Sequence, residues 1–295
     1  MVNIKKQTVN KKTYYYLEHS YREHDKVLKK QKYLGKSIPE NIEYLKKSFL
    51  SEIYNEMWLN KIDSIQKNFS KEQKVMPKSA KEKEIATFMI KFTYNTQRIE
   101  GSTLTFKETA NLLERGITPK EKSIFDVKEA ETHKELFYDI LNYKKDLNFQ
   151  TVLYWHKKLL EKTHSDIAGK IRNHQIAISG SKFMPPFQAE LNILLKEFSD
   201  WYQKNKDKLH PVVLAGLVHL KFVTIHPFSD GNGRISRIMM NFVLNKYKYP
   251  LLNIAYNKRA SYYNALERSQ IKKQDGIFVQ WFLKRYIKEH ENYSK

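Results

Sequence analysis

The segment His226-Pro-Phe-Ser-Asp-Gly-Asn-Gly-Arg-Ile-Ser-Arg237 gathers groups suited to holding and attacking a phosphate chain. An imidazole titrates near neutrality, so His226 is suited to take a proton from an attacking group. Asp230 offers hard oxygen donors for Mg²⁺ bridging phosphates. Gly231 and Gly233 flank Asn232 and permit backbone angles closed to other residues. Successive N–H groups in such a turn converge into an anion-binding nest. A helix starting directly after the turn would point its positive N-terminal end at the same anion. Arg234 and Arg237 then lie three apart on one helical face, each able to add charge-assisted bonds to phosphate oxygens.

Each feature has an ordinary explanation when it stands alone. An Asp-Gly-Asn-Gly run is usually a surface turn, a His after an apolar helix usually a satisfied structural group, and two Arg three apart usually a solvated face. Their coincidence within one short segment favours a site. The flanking elements support it. Pro211–Ile225 is apolar enough for a buried helix, which delivers His226 at its end, and Arg234–Lys246 reads as the helix that follows.

Helical periodicity extends over most of the chain. Ile42, Leu45, Phe49, Ile53 and Met57 recur at three- and four-residue steps after Pro39. Ser70-Lys-Glu-Gln73 has the form of a capping box and predicts a helix start. Further helices are expected over 80–98, 105–115, 125–143, 150–162, 188–204, 262–270 and 277–290, with Gly101 ending the first of these. Gln175–Ser179 alternates polar and apolar, turns at Gly180-Ser181 and stops at Pro185-Pro186, a short hairpin signal. Residues 1–38 are β-favouring at Thr13–Leu17 and Val27–Gly35, with a turn at Glu23-His24-Asp25, and predict a small hairpin or three-stranded meander. The expected organisation is a small basic β module (1–38), a helical linker region (39–79), a helix region (80–115), a core (116–250) and C-terminal helices (251–295), in a mainly α fold.

Composition excludes several chemistries. The 295 residues are 41% hydrophobic, ample for a packed core, and contain only 9 Gly and 8 Pro. With no cysteine, thiolate catalysis, disulfides and zinc–thiolate sites are excluded. No apolar signal core and no run of about 18 apolar residues is present, so no membrane partner and a cytoplasmic location are expected. The net charge of +21 attracts polyanions. Lys is spread along the chain, and the strongest local imbalance, 10 Lys/Arg against 3 Asp/Glu, falls within residues 1–38. That module is a candidate nucleic-acid contact.

The 226–237 segment is similar at every defining position to the Fic (Fido) signature, His-x-Phe-x-Asp-Gly-Asn-Gly-Arg-x-x-Arg. Gly169-Lys-Ile-Arg172 with Ile176–Ile178, Gly180 and Pro185-Pro186 resembles the family's segment ending in a β-hairpin flap. Arg259-Ala-Ser-Tyr262-Tyr263-Asn-Ala-Leu266 resembles its nucleotide-side helix. The likeness spans roughly residues 80–290 and implies a helical bundle with a short flap. It implies a protein adenylyltransferase that moves AMP from ATP, with Mg²⁺, to a Ser, Thr or Tyr hydroxyl. His226 would be the base, Asp230 the metal ligand, Gly231, Asn232 and Gly233 the phosphate cradle, and Arg234 and Arg237 the clamps. Phe228 would pack the loop onto the core. Tyr262 and Tyr263 would flank the adenosine, with Gly180, Ser181 and Gln270 nearby, although relatives often carry Asn at the last position. The flap at 178–183 would hold a protein target by strand addition, and the protein itself is a possible target.

Thr96-Gln-Arg-Ile-Glu100-Gly101 resembles the inhibitory motif of self-inhibited Fic proteins with an N-terminal inhibitory helix. A Glu at a helix C-terminus is mildly unfavourable against the dipole and needs compensation. Arg237 is the natural partner, and such a pair would withhold it from the γ-phosphate. The resemblance leaves other readings open: UMP or another transferred group, removal of AMP by Glu100 with metal, a homodimer, or a nucleic-acid-binding regulator with a quiescent core.

Overall fold

The structure, a computed structural model, describes residues 2–23 and 26–294. His24 and Asp25, the centre of the expected turn at 23–25, lie outside the described residues. Contacts divide the chain into a unit reaching Ile65 and a unit from Gln66 to Tyr293.

The first unit opens with strands β1 (Val2–Val9), β2 (Lys12–Glu23) and β3 (Lys26–Gly35), antiparallel in the order β1-β2-β3. Of the two expected forms it is the meander. Asn10 and Lys11, at φ 51° and 60°, make the two-residue connection whose twist suits a hairpin. Alternation sends Leu17 and His19 to one face, where both are buried. Helix α1 (Ile42–Tyr54) packs on β2 and is tied to β3 by Lys32 and Glu52 at 2.7 Å. A π-type turn (Asn55–Leu59) then leads into α2 (Asn60–Val75).

The capping box expected at Ser70 does not start a helix. α2 runs through it, and Ser70 Oγ accepts from Gln66 Nε2 at 3.1 Å. The break falls at Met76-Pro77 instead, because a proline disfavours helical geometry in the residue before it. A capping box does form at Thr105: its hydroxyl accepts from Glu108 N, and its own N–H donates to Glu108 Oε2 at 2.8 Å.

The second unit is helical: α3 (Lys78–Ile99), α4 (Phe106–Arg115), α5 (Ile124–Asn142), α6 (Phe149–Leu160), α7 (Leu191–Asn205), α8 (Pro211–Ile225), α9 (Asn232–Lys246), α10 (Arg259–Lys272) and α11 (Asp275–Glu289). α8 and α9 are the axis of the bundle. α8 is buried from Val212 to Ile225 except for a half-buried stripe at Val213, Leu217, Lys221 and Thr224, and α9 is buried from Arg234 to Leu244. α7 and α11 flank α8, while α5 and α6 flank α9. α3 lies against α5, which brings its C-terminal end to the start of α9. No described helix is long and apolar enough to cross a membrane.

Residues 175–187 hold no strand ladder. A turn closes with Ser181 N donating to Ile178 O at 3.1 Å, and the arms are extended but unpaired. The physical reason is at hand: Pro185 and Pro186 have no N–H to donate on the returning arm. The arms are held instead by Gln175 Nε2 on Pro185 O at 3.1 Å. The flap is therefore a turn with two extended arms.

Candidate active site

The loop between α8 and α9 is shaped by its own residues. His226 ends α8 in the left-handed region, φ 53°, its N–H still bonded to Phe222 O at 3.0 Å. That geometry turns the imidazole out of the core. Its Nδ1 faces Val223 O at 3.1 Å, and a carbonyl only accepts, so Nδ1 carries the proton. Nε2 is left with a lone pair, the form a general base requires. Burial lowers the His226 pKa below its ordinary value, against upward pulls from the Val223 carbonyl and Glu100, so the ring is neutral at physiological pH.

Asn232 clasps the loop shut. Its Oδ1 accepts from Phe228 N at 2.9 Å and its Nδ2 donates to Phe228 O at 2.7 Å. Phe228 is fully buried and stacks on the His156 ring at 3.7 Å. His156 Nδ1 accepts from Gly169 N at 2.9 Å, which leaves Nε2–H to donate to Asp230 O at 3.0 Å. One imidazole on α6 thus fixes both ends of the loop. Gly231 sits at φ 79°, and a Cβ there would also come within 3.3 Å of the His156 ring.

Gly231 is the N-cap of α9, and no side chain caps it. The N–H groups of the first turn and the positive end of the helix are therefore met by no capping side chain. Glu100, at the end of α3, reaches this point. Its carboxylate pairs with Arg237 and lies so near Gly233 that a Cβ would collide with it. Arg237 is 1% exposed, and its guanidinium also meets Thr96 O at 3.3 Å and the Tyr262 hydroxyl at 3.4 Å. Burial alone would push its pKa down, but the Glu100 carboxylate holds it above its ordinary value.

These groups line one cavity of about 580 Å³, in the range of small-molecule sites. Of the residues singled out in the sequence it brings together His226, Asp230, Gly231, Asn232, Gly233, Arg237, Glu100, Tyr262, Tyr263, Gly180, Ser181 and Gln270. Several sit differently from expectation. Tyr262 is 1% exposed, with its hydroxyl on His219 at 2.9 Å, so it packs the wall and steadies Arg237. Tyr263 is the open ring, 43% exposed, its hydroxyl on Ile99 O at 3.2 Å. Gln270 donates to Thr224 Oγ1 at 3.2 Å. The Asn232 side chain closes the loop, so only its backbone is left to meet an anion.

Arg234, expected as a phosphate clamp, does not line the cavity. Its guanidinium is buried beneath the loop between Glu129 and Asp230, 2.7 Å from Asp230 Oδ2. Two carboxylates in a dry site outcompete open space for this cation. Burial raises the Asp230 pKa, but Arg234 and the Gly231 N–H outweigh it, and the carboxyl stays below its usual range. Burial wins at Glu129, whose pKa is raised despite Arg234.

Four residues of the site carry little or no signal in the sequence. His156 and Glu129 act across the fold and have no local pattern. Arg172 stands out only within a resembling segment. It donates to His226 O at 2.9 Å, His174 O at 2.8 Å and Pro186 O at 2.6 Å, stapling the loop to the base of the flap. Glu267, one position beyond the Tyr-Tyr segment, holds the flap turn: its Oε1 accepts from Ser181 Oγ at 3.0 Å and Lys182 N at 2.5 Å.

Among the described residues no three ligating side chains cluster as a preformed metal site. The donor set still suits Mg²⁺, which commonly binds through one or two carboxylates plus substrate phosphates. The Asp230 side chain is half exposed toward the cavity, and each oxygen keeps a free lone pair.

The helical bundle thus brings an uncapped helix N-terminus, a glycine turn and a neutral imidazole into one cavity, groups suited to holding a phosphate chain. The comparisons with known proteins narrow this. Residues 146–244 match the model of the Fic/DOC family. It is 34% identical over 179 residues to a protein adenylyltransferase Fic of Drosophila willistoni, covering 59% of this chain and 35% of that protein. It is 31% identical over 181 residues to one of Nematostella vectensis, covering 60% and 42%. The chain thus spans less than half the length of these curated relatives. A Fic-domain-containing signaling protein of Bacteroides thetaiotaomicron superposes with TM-score 0.72 at 26% identity, covering 80% of this chain and 96% of that one. Fic-1 of C. elegans shares the fold, with TM-score 0.71 at 24% identity over 86% and 77% of the two chains.

Proposed function

We propose that this protein is an adenylyltransferase that moves AMP from ATP to a hydroxyl of a protein, and that Glu100 restrains it. The observation that carries the reading is the shared cavity, where His226 presents a free Nε2 beside the uncapped start of α9. The curated relatives, named for this activity, support it.

In this reading the triphosphate lies along the 231–233 turn, its charge met by the N–H groups of α9 and by Arg237. The target hydroxyl gives its proton to His226 Nε2 as its oxygen attacks the α-phosphorus. The new O–P bond forms as the bond from the α-phosphorus to the bridging oxygen breaks, and pyrophosphate leaves. Asp230 would hold Mg²⁺, which when bound neutralises phosphate charge. Arg234 acts indirectly, by fixing the Asp230 carboxylate. Such chemistry depends on positioning and charge more than covalent help. The flap at 178–183, braced by Glu267 and Arg172, presents the backbone to which a protein target adds as a strand.

Glu100 places a carboxylate at the α9 N-terminus and on Arg237, where the γ-phosphate would otherwise go. Nucleotide can then bind only by displacing it or by binding without that clamp. The test is incubation of wild-type, Glu100→Gly and His226→Ala protein with α-labelled ATP, the chain itself serving as a target. Label should rise in Glu100→Gly and vanish in His226→Ala. Label retained in His226→Ala rejects the base assignment.

A further inference from the structure

The N-terminal sheet has two unlike faces. Strand register places Val2, Ile4, Leu17, His19, Lys30 and Lys32 on the side of α1. Leu17 and His19 are buried there, Lys32 pairs with Glu52, and Lys30 pairs with Glu56. That face is accounted for by folding.

The opposite face is not. Register brings to it Asn3, Lys5, Gln7 and Val9 of β1, Lys12, Tyr14, Tyr16, Glu18 and Ser20 of β2, and Val27, Lys29, Gln31 and Tyr33 of β3. None of these is buried, and Tyr33 is 54% exposed against Tyr16 at 5.2 Å. Glu18, the one acid among these residues, pairs with Lys5 at 3.1 Å and accepts from Gln31 at 2.6 Å. The face therefore presents cations, amides, tyrosines and two exposed valines, with its one carboxylate paired. It lies within the segment of strongest basic imbalance, 10 Lys/Arg against 3 Asp/Glu over residues 1–38.

We propose that this open face binds duplex DNA in its major groove. The B-form major groove, about 12 Å wide, admits a two-stranded β-ribbon, and the β1-β2 hairpin with Lys5 and Lys12 is one. Lys12 and Lys29 supply phosphate contacts, and Lys5 joins them by exchanging Glu18 for a phosphate. Asn3 and Gln7 are side chains whose amides match base edges. The major groove of A-form RNA is too narrow and deep for a sheet, which favours DNA. The proposal is independent of the AMP-transfer reading, because none of these residues belongs to the cavity.

The test is fluorescence anisotropy of a labelled random-sequence DNA duplex with the full chain, titrated over a range of salt. Wild type should bind with a steep salt dependence. Lys5→Gln/Lys12→Gln/Lys29→Gln should weaken binding by about tenfold or more and lower the salt slope by about 2–3, near 0.9 for each phosphate no longer neutralised. The control Lys71→Gln/Lys74→Gln/Lys78→Gln removes equal charge from exposed sites elsewhere and should leave affinity within about twofold. Gln7→Glu keeps every lysine, is isosteric, and should also weaken binding with an unchanged circular dichroism spectrum. Equal losses in the two triple variants assign binding to net charge alone and overturn the proposal. So does unchanged affinity in Gln7→Glu, tighter binding of an RNA duplex, or no DNA binding by wild type.

Discussion

Glu100→Gly perturbs stability and nucleotide binding in opposite directions, and both follow from one ion pair. Arg237 is 1% exposed, its Nε makes no hydrogen bond, and among the described residues Glu100 is the carboxylate paired with it. Breaking a fully buried pair by removing one partner costs about 3–5 kcal/mol. The Glu100 side chain is 27% exposed, so water already offsets part of its charge, and about 2–3 kcal/mol is the reasonable expectation. For a unit of this size that lowers Tm by roughly 5–10 °C without nucleotide. An ATP phosphate then restores the missing countercharge to Arg237, with no carboxylate to displace. The rise in Tm on adding ATP and Mg²⁺ should therefore be larger in Glu100→Gly than in wild type. Differential scanning fluorimetry with and without nucleotide measures both. An unchanged Tm, or equal nucleotide shifts in the two proteins, refutes the idea that Glu100 and phosphate compete for Arg237.

The pH profile of kcat/KM should hold its plateau below the ordinary histidine pKa, because burial lowers that of His226 and only the neutral ring accepts a proton; a fall centred at or above the ordinary value contradicts the buried base. His156, pushed down to about 4 by burial, is neutral when folded. The unfolded chain binds the extra proton between about 6.5 and 4, so stability should drop as pH falls through that window. Urea midpoints should fall less steeply there in His156→Gln, with His133, His219 and His290 keeping their own shares, and an identical curve argues against it. The same variant should lower kcat more than it raises KM for ATP, since Phe228 loses the ring stacked on it and the loop its fixed position. Glu267→Ala frees Ser181 and Lys182 and should raise KM for a protein target severalfold with ATP affinity nearly unchanged; the reverse pattern places Glu267 in the nucleotide site.

What is legible in the sequence is what is local. The 226–237 loop carries its own turn glycines, helix start and clasp in consecutive residues, so its shape and place can be read directly. The Glu100–Arg237 pair spans 137 residues and is legible only through the resemblance of Thr96–Gly101 to the inhibitory motif. The bundle follows from three- and four-residue apolar spacing. Ser70 misleads because a capping box is a local pattern that an uninterrupted helix overrides, and the proline that does end α2, Pro77, lies seven residues further on. The flap reads as a hairpin from its alternation, but Pro185 and Pro186 cannot complete a ladder. Arg234 reads as a phosphate clamp because Glu129 lies 105 residues away in sequence. His156, Arg172 and Glu267 escape for the same reason: each acts on backbone atoms of a distant segment.

The most direct test of the central claim is intact-mass spectrometry of Glu100→Gly, with wild type and Glu100→Gly/His226→Ala alongside, after incubation with ATP and Mg²⁺. The account predicts a gain of one or more AMP groups in Glu100→Gly, little in wild type and none in the double variant. A gain of phosphate alone, or an AMP adduct that persists without His226, would contradict it.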